Sequence, residues 1–168
     1  EMIELNVAAL TELSRLFLPA MVERQSGAIL NVASTAAFQP GPGFAVYFAT
    51  KAFVLSLTEA LHQELKGSGI KVSALCPGPT ATEFGDVAGV HSHRFSSLSA
   101  NGRRVVDAGL AGLERNRAVV VPGAVNKITL QNNLTSTRTE AVAWNNTSGN
   151  AANIVLDLDY TVIMPRRS

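Results

Sequence analysis

The 168-residue chain has little that would cross-link it, charge it strongly or anchor it. Its single cysteine, Cys76, excludes an internal disulfide framework and suits a reducing compartment. Lysine and arginine number 14 against 13 acidic residues, so the balance offers no electrostatic ground for binding nucleic acid or an acidic partner. The adjacent basic pairs Arg103-Arg104 and Arg166-Arg167 read as solvated surface. No apolar run approaches the length of a membrane span, and no signal-peptide pattern is seen. A soluble, cytoplasmic protein without membrane contact is therefore expected. His91 and His93 alternate with no cysteine or carboxylate close behind, which reads as loop composition and not as a metal site.

What is present is alternation. The chain is 46% hydrophobic, and its length suits one domain with a real core. Residues 2–24 carry apolar side chains at helical spacing, with Pro19 near the end. The run GAILNVAS (27–34) is nearly continuous in apolar residues, as a strand buried on both faces of a parallel sheet would be. A turn-rich loop (35–43) leads to a second helix over 44–66, stopped by Gly67 and Gly69. IKVSALCPG (70–78) is a second strand closed by Pro77 and Gly78. A loop-like stretch (79–103), a helix (104–116) and a third short strand (117–124) follow. Helices alternating with strands predict an α/β fold, a parallel sheet covered by helices. From 126 to 168 the chain turns polar and lacks a sustained apolar face, except that IVLDLDYTVIM alternates as a strand does.

Within the second helix, Tyr47 and Lys51 stand four apart in the apolar run AVYFATKAF. Positions i and i+4 share a helix face. A free phenol titrates near pH ~10, too high to exchange protons well at neutrality. A fixed ammonium close by stabilises a phenolate, so the pair is a candidate general acid/base. The alternative is a lysine stretched along a tyrosine that caps the core. Ser34 ends the first strand, and in doubly wound sheets ligand chemistry collects at the carboxyl ends of strands. Tyr47 in the first turn of the next helix would converge on the same crevice. Alone, Ser34 reads equally as a loop serine bonding its own backbone.

Asn6, ILNVAS with Ser34, Tyr47-x-x-x-Lys51 and CPGPTAT (76–82), in this order and spacing, together resemble the classical short-chain dehydrogenases/reductases over residues 2–125. The resemblance implies a Rossmann-like, doubly wound parallel sheet with flanking helices. It implies an oxidoreductase that moves a hydride between NAD or NADP and a carbonyl compound or secondary alcohol. Tyr47 would be the acid/base. Lys51 would support it and bond the nicotinamide ribose, and Ser34 would hold the reacting oxygen. Asn6 would support a water linking Lys51 to solvent. Pro77, Gly78 and Thr82 would line the nicotinamide, with Thr80 nearby. An epimerase or dehydratase of the extended branch shares the Tyr/Lys pair, but the Pro77-Gly78-x-x-x-Thr82 turn looks classical.

The family's cofactor grip is a glycine-rich turn between a strand and a helix N-terminus. No G-x-G-x-x-G or T-G-x-x-x-G-x-G occurs here. Residues 1–125 are thus expected to be the C-terminal portion of the family's Rossmann domain, 126–168 an unassigned polar tail, and the chain inactive without the missing part. The alternative is a non-catalytic α/β fragment serving as an interaction or structural module. Substrate choice is expected from the loop at 83–103, with Phe44, Phe48 and Phe84 as possible pocket borders. The helix 44–66 is apolar nearly all round, which calls for a partner helix. The resemblance agrees, implying a homo-oligomer built through helices 2–24 and 44–66.

Overall fold

The computed structural model describes residues 1–80, 100–124 and 126–127. Thr82, Phe84, His91, His93 and nearly all of the 126–168 segment lie outside the described residues. The first helix, α1 (Leu10–Glu23), continues without a break from a π-helical segment, Glu4–Ala9. The spacing that predicts one regular helix over 2–24 conceals this wider turn, and nothing in ELNVAA marks it. Thr11 and Ser14 return their hydroxyls to the carbonyls of Val7 and Leu10, at 2.8 and 2.9 Å, just past the transition.

Strand β1 (Gly27–Val32) leads through a 3-10 turn (Thr35–Phe38) into α2 (Ala45–Glu64) and strand β2 (Ile70–Leu75). Helix α3 (Gly102–Glu114) and a two-residue strand β3 (Val119–Val120) complete the order. Helix α3 starts earlier than position 104 because Asn101 caps it, its side-chain oxygen accepting from the amides of Arg103 and Arg104 at 3.0 and 3.4 Å. Strand β3 is shorter than the predicted 117–124. At one end the Arg117 carbonyl is taken by the Ser73 hydroxyl at 2.6 Å, and at the other Pro122 has no amide to give.

The sheet is parallel in the order β1-β2-β3, with Gly27 opposite Ile70, Val32 opposite Leu75 and Leu75 opposite Val120. Side chains alternate across it. Ile29, Ala33, Val72, Ala74 and Cys76 meet α1 and α2 through Leu18, Val54, Leu55 and Leu65. Leu30 and Leu75 face α3, where Gly109 has no Cβ and lets the helix close on both leucines. Val54 and Val72 are each 1% exposed. Burying one valine contributes roughly 1.5–3 kcal/mol, more than a typical hydrogen bond at about 1. Packing therefore holds the layers together, and polar contacts refine their alignment.

Two expectations need correction. Strand β1 is not fully buried on its faces, since Val32 is 52% exposed, and among the described residues it pairs on one side only. An apolar sequence reports a preference for burial, but the neighbour must be supplied. Secondly, the helical stretch Glu4–Glu23 is long and apolar enough, by length and composition, to cross a membrane. Its mean is high although Glu12 and Arg15 interrupt it, and those two pair at the surface at 3.4 Å. Here Ser14 and Leu18 of the same helix are buried in the fold.

Candidate active site

Ser34 follows β1 in extended conformation and caps the 3-10 turn, its hydroxyl oxygen accepting from the Ala36 amide at 3.1 Å. The loop-serine reading therefore holds as well. That bond uses a lone pair and leaves the O–H available to donate. The residues around it are tied to β2: the Ala33 amide donates to Leu75 O at 2.8 Å, and the Thr35 amide to Pro77 O at 2.9 Å. Ser34 is thereby fixed beside the Pro77-Gly78 turn, at the carboxyl end of both strands.

Tyr47 and Lys51 occupy the first two turns of α2, as predicted. The turn that feeds them depends on glycine twice. Gly43 has φ +84°, and a Cβ on Gly41 would strike the Phe48 ring. Phe48 meets Tyr47 edge to face at 6.0 Å. The Lys51 ammonium lies 6.0 Å from the centroid of the Tyr47 ring and donates to the Val32 carbonyl at 3.0 Å. It thus bridges from α2 to the end of β1, two residues short of Ser34. Burial lowers the Lys51 pKa from its ordinary value of 10.5, and the neighbouring Cys76 thiol opposes that effect.

Asn6 sits inside the π-turn, and its amide donates to the Thr50 hydroxyl at 3.2 Å. Insertions of this kind recur at functional sites. Thr80 donates to Gly78 O at 2.9 Å and bridges to Ala100, whose amide donates to Pro79 O at 2.9 Å. The turn is closely backed: a Cβ on Gly78 would come within 2.6 Å of the Asn126 amide, which itself donates to Pro122 O at 2.8 Å. Thr82 falls outside the described residues. The structure thus gathers Asn6, Ser34, Tyr47, Lys51, Pro77, Gly78 and Thr80 at one end of the sheet.

Three neighbours were not foreseen: Thr50, Cys76 and Asn126. Thr50 lies between Tyr47 and Lys51 in sequence, on the buried side of the same turn. Cys76 closes β2, so its place beside Ser34 follows from strand order. Asn126 carries no signal, since its contact crosses from beyond β3. Along the edge of β1 that is unpaired among the described residues runs a groove of about 530 Å³, lined mostly by apolar side chains such as Leu5, Leu13, Phe17 and Leu30, together with Asn6 and Lys51. A hydroxyl, a phenol and an ammonium at the ends of parallel strands form a set able to hold a carbonyl or alcohol oxygen and exchange a proton with it.

Comparison with known proteins agrees with this geometry. Residues 1–89 match the family model described as short chain dehydrogenase. The very-long-chain 3-oxoacyl-CoA reductase of Rattus norvegicus is 41% identical over 87 residues, which is 52% of this chain and 28% of that protein. A short-chain dehydrogenase from Sphingobium yanoikuyae, solved in complex with NADPH, superposes with TM-score 0.69 at 36% identity over 84% of this chain and 54% of that one. One from Burkholderia cenocepacia, solved with NADP, gives TM-score 0.68 at 32% identity over 85% of this chain and 58% of that one. The match to the curated rat relative takes in little more than a quarter of that protein's length.

Proposed function

Because this chain belongs to the short-chain dehydrogenase family, we propose that it carries the proton-handling half of an NAD(P)-dependent oxidoreductase acting on a carbonyl compound or the matching secondary alcohol. The observation that carries this reading is the Lys51 bridge to Val32 O, which locks the Tyr47 turn onto the strand end bearing Ser34. In reduction, the Ser34 and Tyr47 hydroxyls hold the carbonyl oxygen. Tyr47 gives it a proton as the carbon receives a hydride. In oxidation, Tyr47 takes that proton back. The nicotinamide, when bound, donates or accepts the hydride. The donor set here fits its ribose end: Lys51 and Tyr47 would hold it, with the Pro77-Gly78 turn alongside. No G-x-G-x-x-G or T-G-x-x-x-G-x-G motif is present in this sequence to hold the pyrophosphate.

The cofactor's other half thus requires a segment this sequence does not contain, and the 168-residue chain on its own is inactive. We assign residues 1–125 to the catalytic portion of the domain and give 126–168 no role in it. The rat relative's name places its substrate among 3-oxoacyl thioesters, which are carbonyl compounds of the class proposed. A second reading, a non-catalytic interaction module, draws on the exposed groove beside β1.

Two measurements decide. NADPH fluorescence titration of the chain is expected to show no micromolar binding, and micromolar binding would refute the need for a further segment. In a full-length parent, Tyr47→Phe is expected to lower carbonyl-dependent turnover by about 10²–10⁴-fold. Unchanged turnover would favour the module.

A further inference from the structure

We propose that Thr50 is a positioning residue: its hydroxyl relays the placement of the Asn6 π-turn to the backbone of Tyr47. Thr50 is 3% exposed and sits one residue before Lys51. Its Oγ1 donates to the Tyr47 carbonyl at 2.9 Å and accepts the Asn6 amide at 3.2 Å. A hydroxyl has one proton to give, and here the donor faces Tyr47 while a lone pair faces Asn6. The chain of contacts runs from the π-turn before α1 through one oxygen to the residue that exchanges the proton.

The first turn of α2 has need of such a tie. Its N-cap, Phe44, supplies no side-chain hydrogen bond to the helix. Apolar packing against Val54 and Leu55 lies one to two turns further on and is non-directional. It fixes that α2 lies on the sheet, but tolerates small sliding along the axis. The Asn6–Thr50 bond resists that sliding at the turn where position matters.

A second relay of the same chemistry lies two turns along. The Asn31 amide donates to the Thr58 hydroxyl at 2.9 Å, and Thr58 donates to Val54 O at 2.6 Å. It couples β1 to α2 without touching Tyr47. Nature thus supplies the control: a more deeply buried Asn–Thr pair whose loss should weaken the fold but leave Tyr47 in place.

The catalytic meaning of the relay rests on the role proposed for Tyr47, yet its geometry can be tested without turnover. The chain holds two tyrosines, so ring-labelled tyrosine gives an NMR signal for Tyr47 that Tyr47→Phe assigns. Thr50→Val should shift or broaden that signal. It should also speed amide exchange at Phe48–Lys51 about five-fold, the equivalent of one hydrogen bond's net contribution. Thr50→Ser, which keeps the hydroxyl, should restore both. Asn6→Leu should act in the same direction as Thr50→Val and serves if that variant fails to fold. Thr58→Val should lower the melting temperature and leave the Tyr47 signal unmoved. A Tyr47 signal unchanged in Thr50→Val and Asn6→Leu, or moved equally by Thr58→Val, would overturn the proposal. A parent enzyme indifferent to Tyr47→Phe would remove the proposed reaction and leave this relay standing.

Discussion

Cys76 ends β2 fully enclosed, with its thiol beside the Ser34 backbone and within electrostatic reach of Lys51. Burial pushes the thiol up from 9.0 to about 12, with Glu59 acting in the same direction, while the Ser34 backbone bond and Lys51 pull against it. The folded state therefore keeps this proton when the unfolded chain would release it. The thiol's contribution to stability is full below about pH 9 and is lost as pH rises toward about 12. Lys51, lowered by burial, has the opposite sign: the unfolded chain binds its proton more tightly, so its contribution grows with pH in the same range. Cys76→Ala isolates the thiol. Between about pH 8 and about pH 10.5, wild type should lose more stability in urea than Cys76→Ala does. Parallel losses would show that the thiol is not held protonated by the fold. Neither Cys76's burial nor its nearness to Lys51 is legible in a sequence that shows only a lone cysteine.

At the scale of elements, α3 shows two tendencies opposed at one residue. In a helix, alanine is favoured over glycine by about 1 kcal/mol, so Gly112 is locally unfavourable within Gly102–Glu114. Yet a Cβ there would run into the Val120 side chain of β3, and over-packing costs about 1–3 kcal/mol. Gly112→Ala should therefore destabilise the chain, because Val120 has backbone partners on β2 and cannot withdraw freely. A raised urea midpoint would mean that propensity outweighs the contact. The same element shows what the sequence could convey. The order of helices and strands was legible because apolar spacing differs between them, and the Tyr47–Lys51 pairing because i, i+4 geometry is local. The earlier start of α3 was not read, although Asn101 is a good cap, since periodicity weighs the apolar positions alone. The π-turn was illegible for a stronger reason: the contact it serves, Asn6 to Thr50, spans 44 positions. The burial of strand β1 is not legible because its apolar residues record a neighbour that the described residues do not supply.

At the scale of the whole molecule, two of the apolar surfaces exposed among the described residues differ in kind, although they adjoin where Leu13 and Phe17 line the groove beside β1. One is helical: Leu13, Leu16 and Phe17 share a stripe of α1, and Val46 and Phe53 share a face of α2, at 52, 67, 55, 51 and 37% exposure. The other is the edge of β1, unpaired among the described residues, which carries no proline and no charge to discourage pairing. We propose that the helical faces are the pairing surface of the homo-oligomer expected from the family resemblance. Helical faces of that sort pair in a closed, two-fold way, whereas an open strand edge can also template the addition of further chains. The two modes should separate under light scattering after size exclusion. Leu16→Glu combined with Phe53→Glu should reduce the main peak from dimer to monomer, because a charge buried in a helical interface has no partner. Ala28→Lys, at an exposed position on β1, should remove heavier aggregates and leave that dimer intact. Should Ala28→Lys instead abolish the dimer while the glutamates leave it whole, the chains are joined through the strand edge, and the helical faces have some other partner.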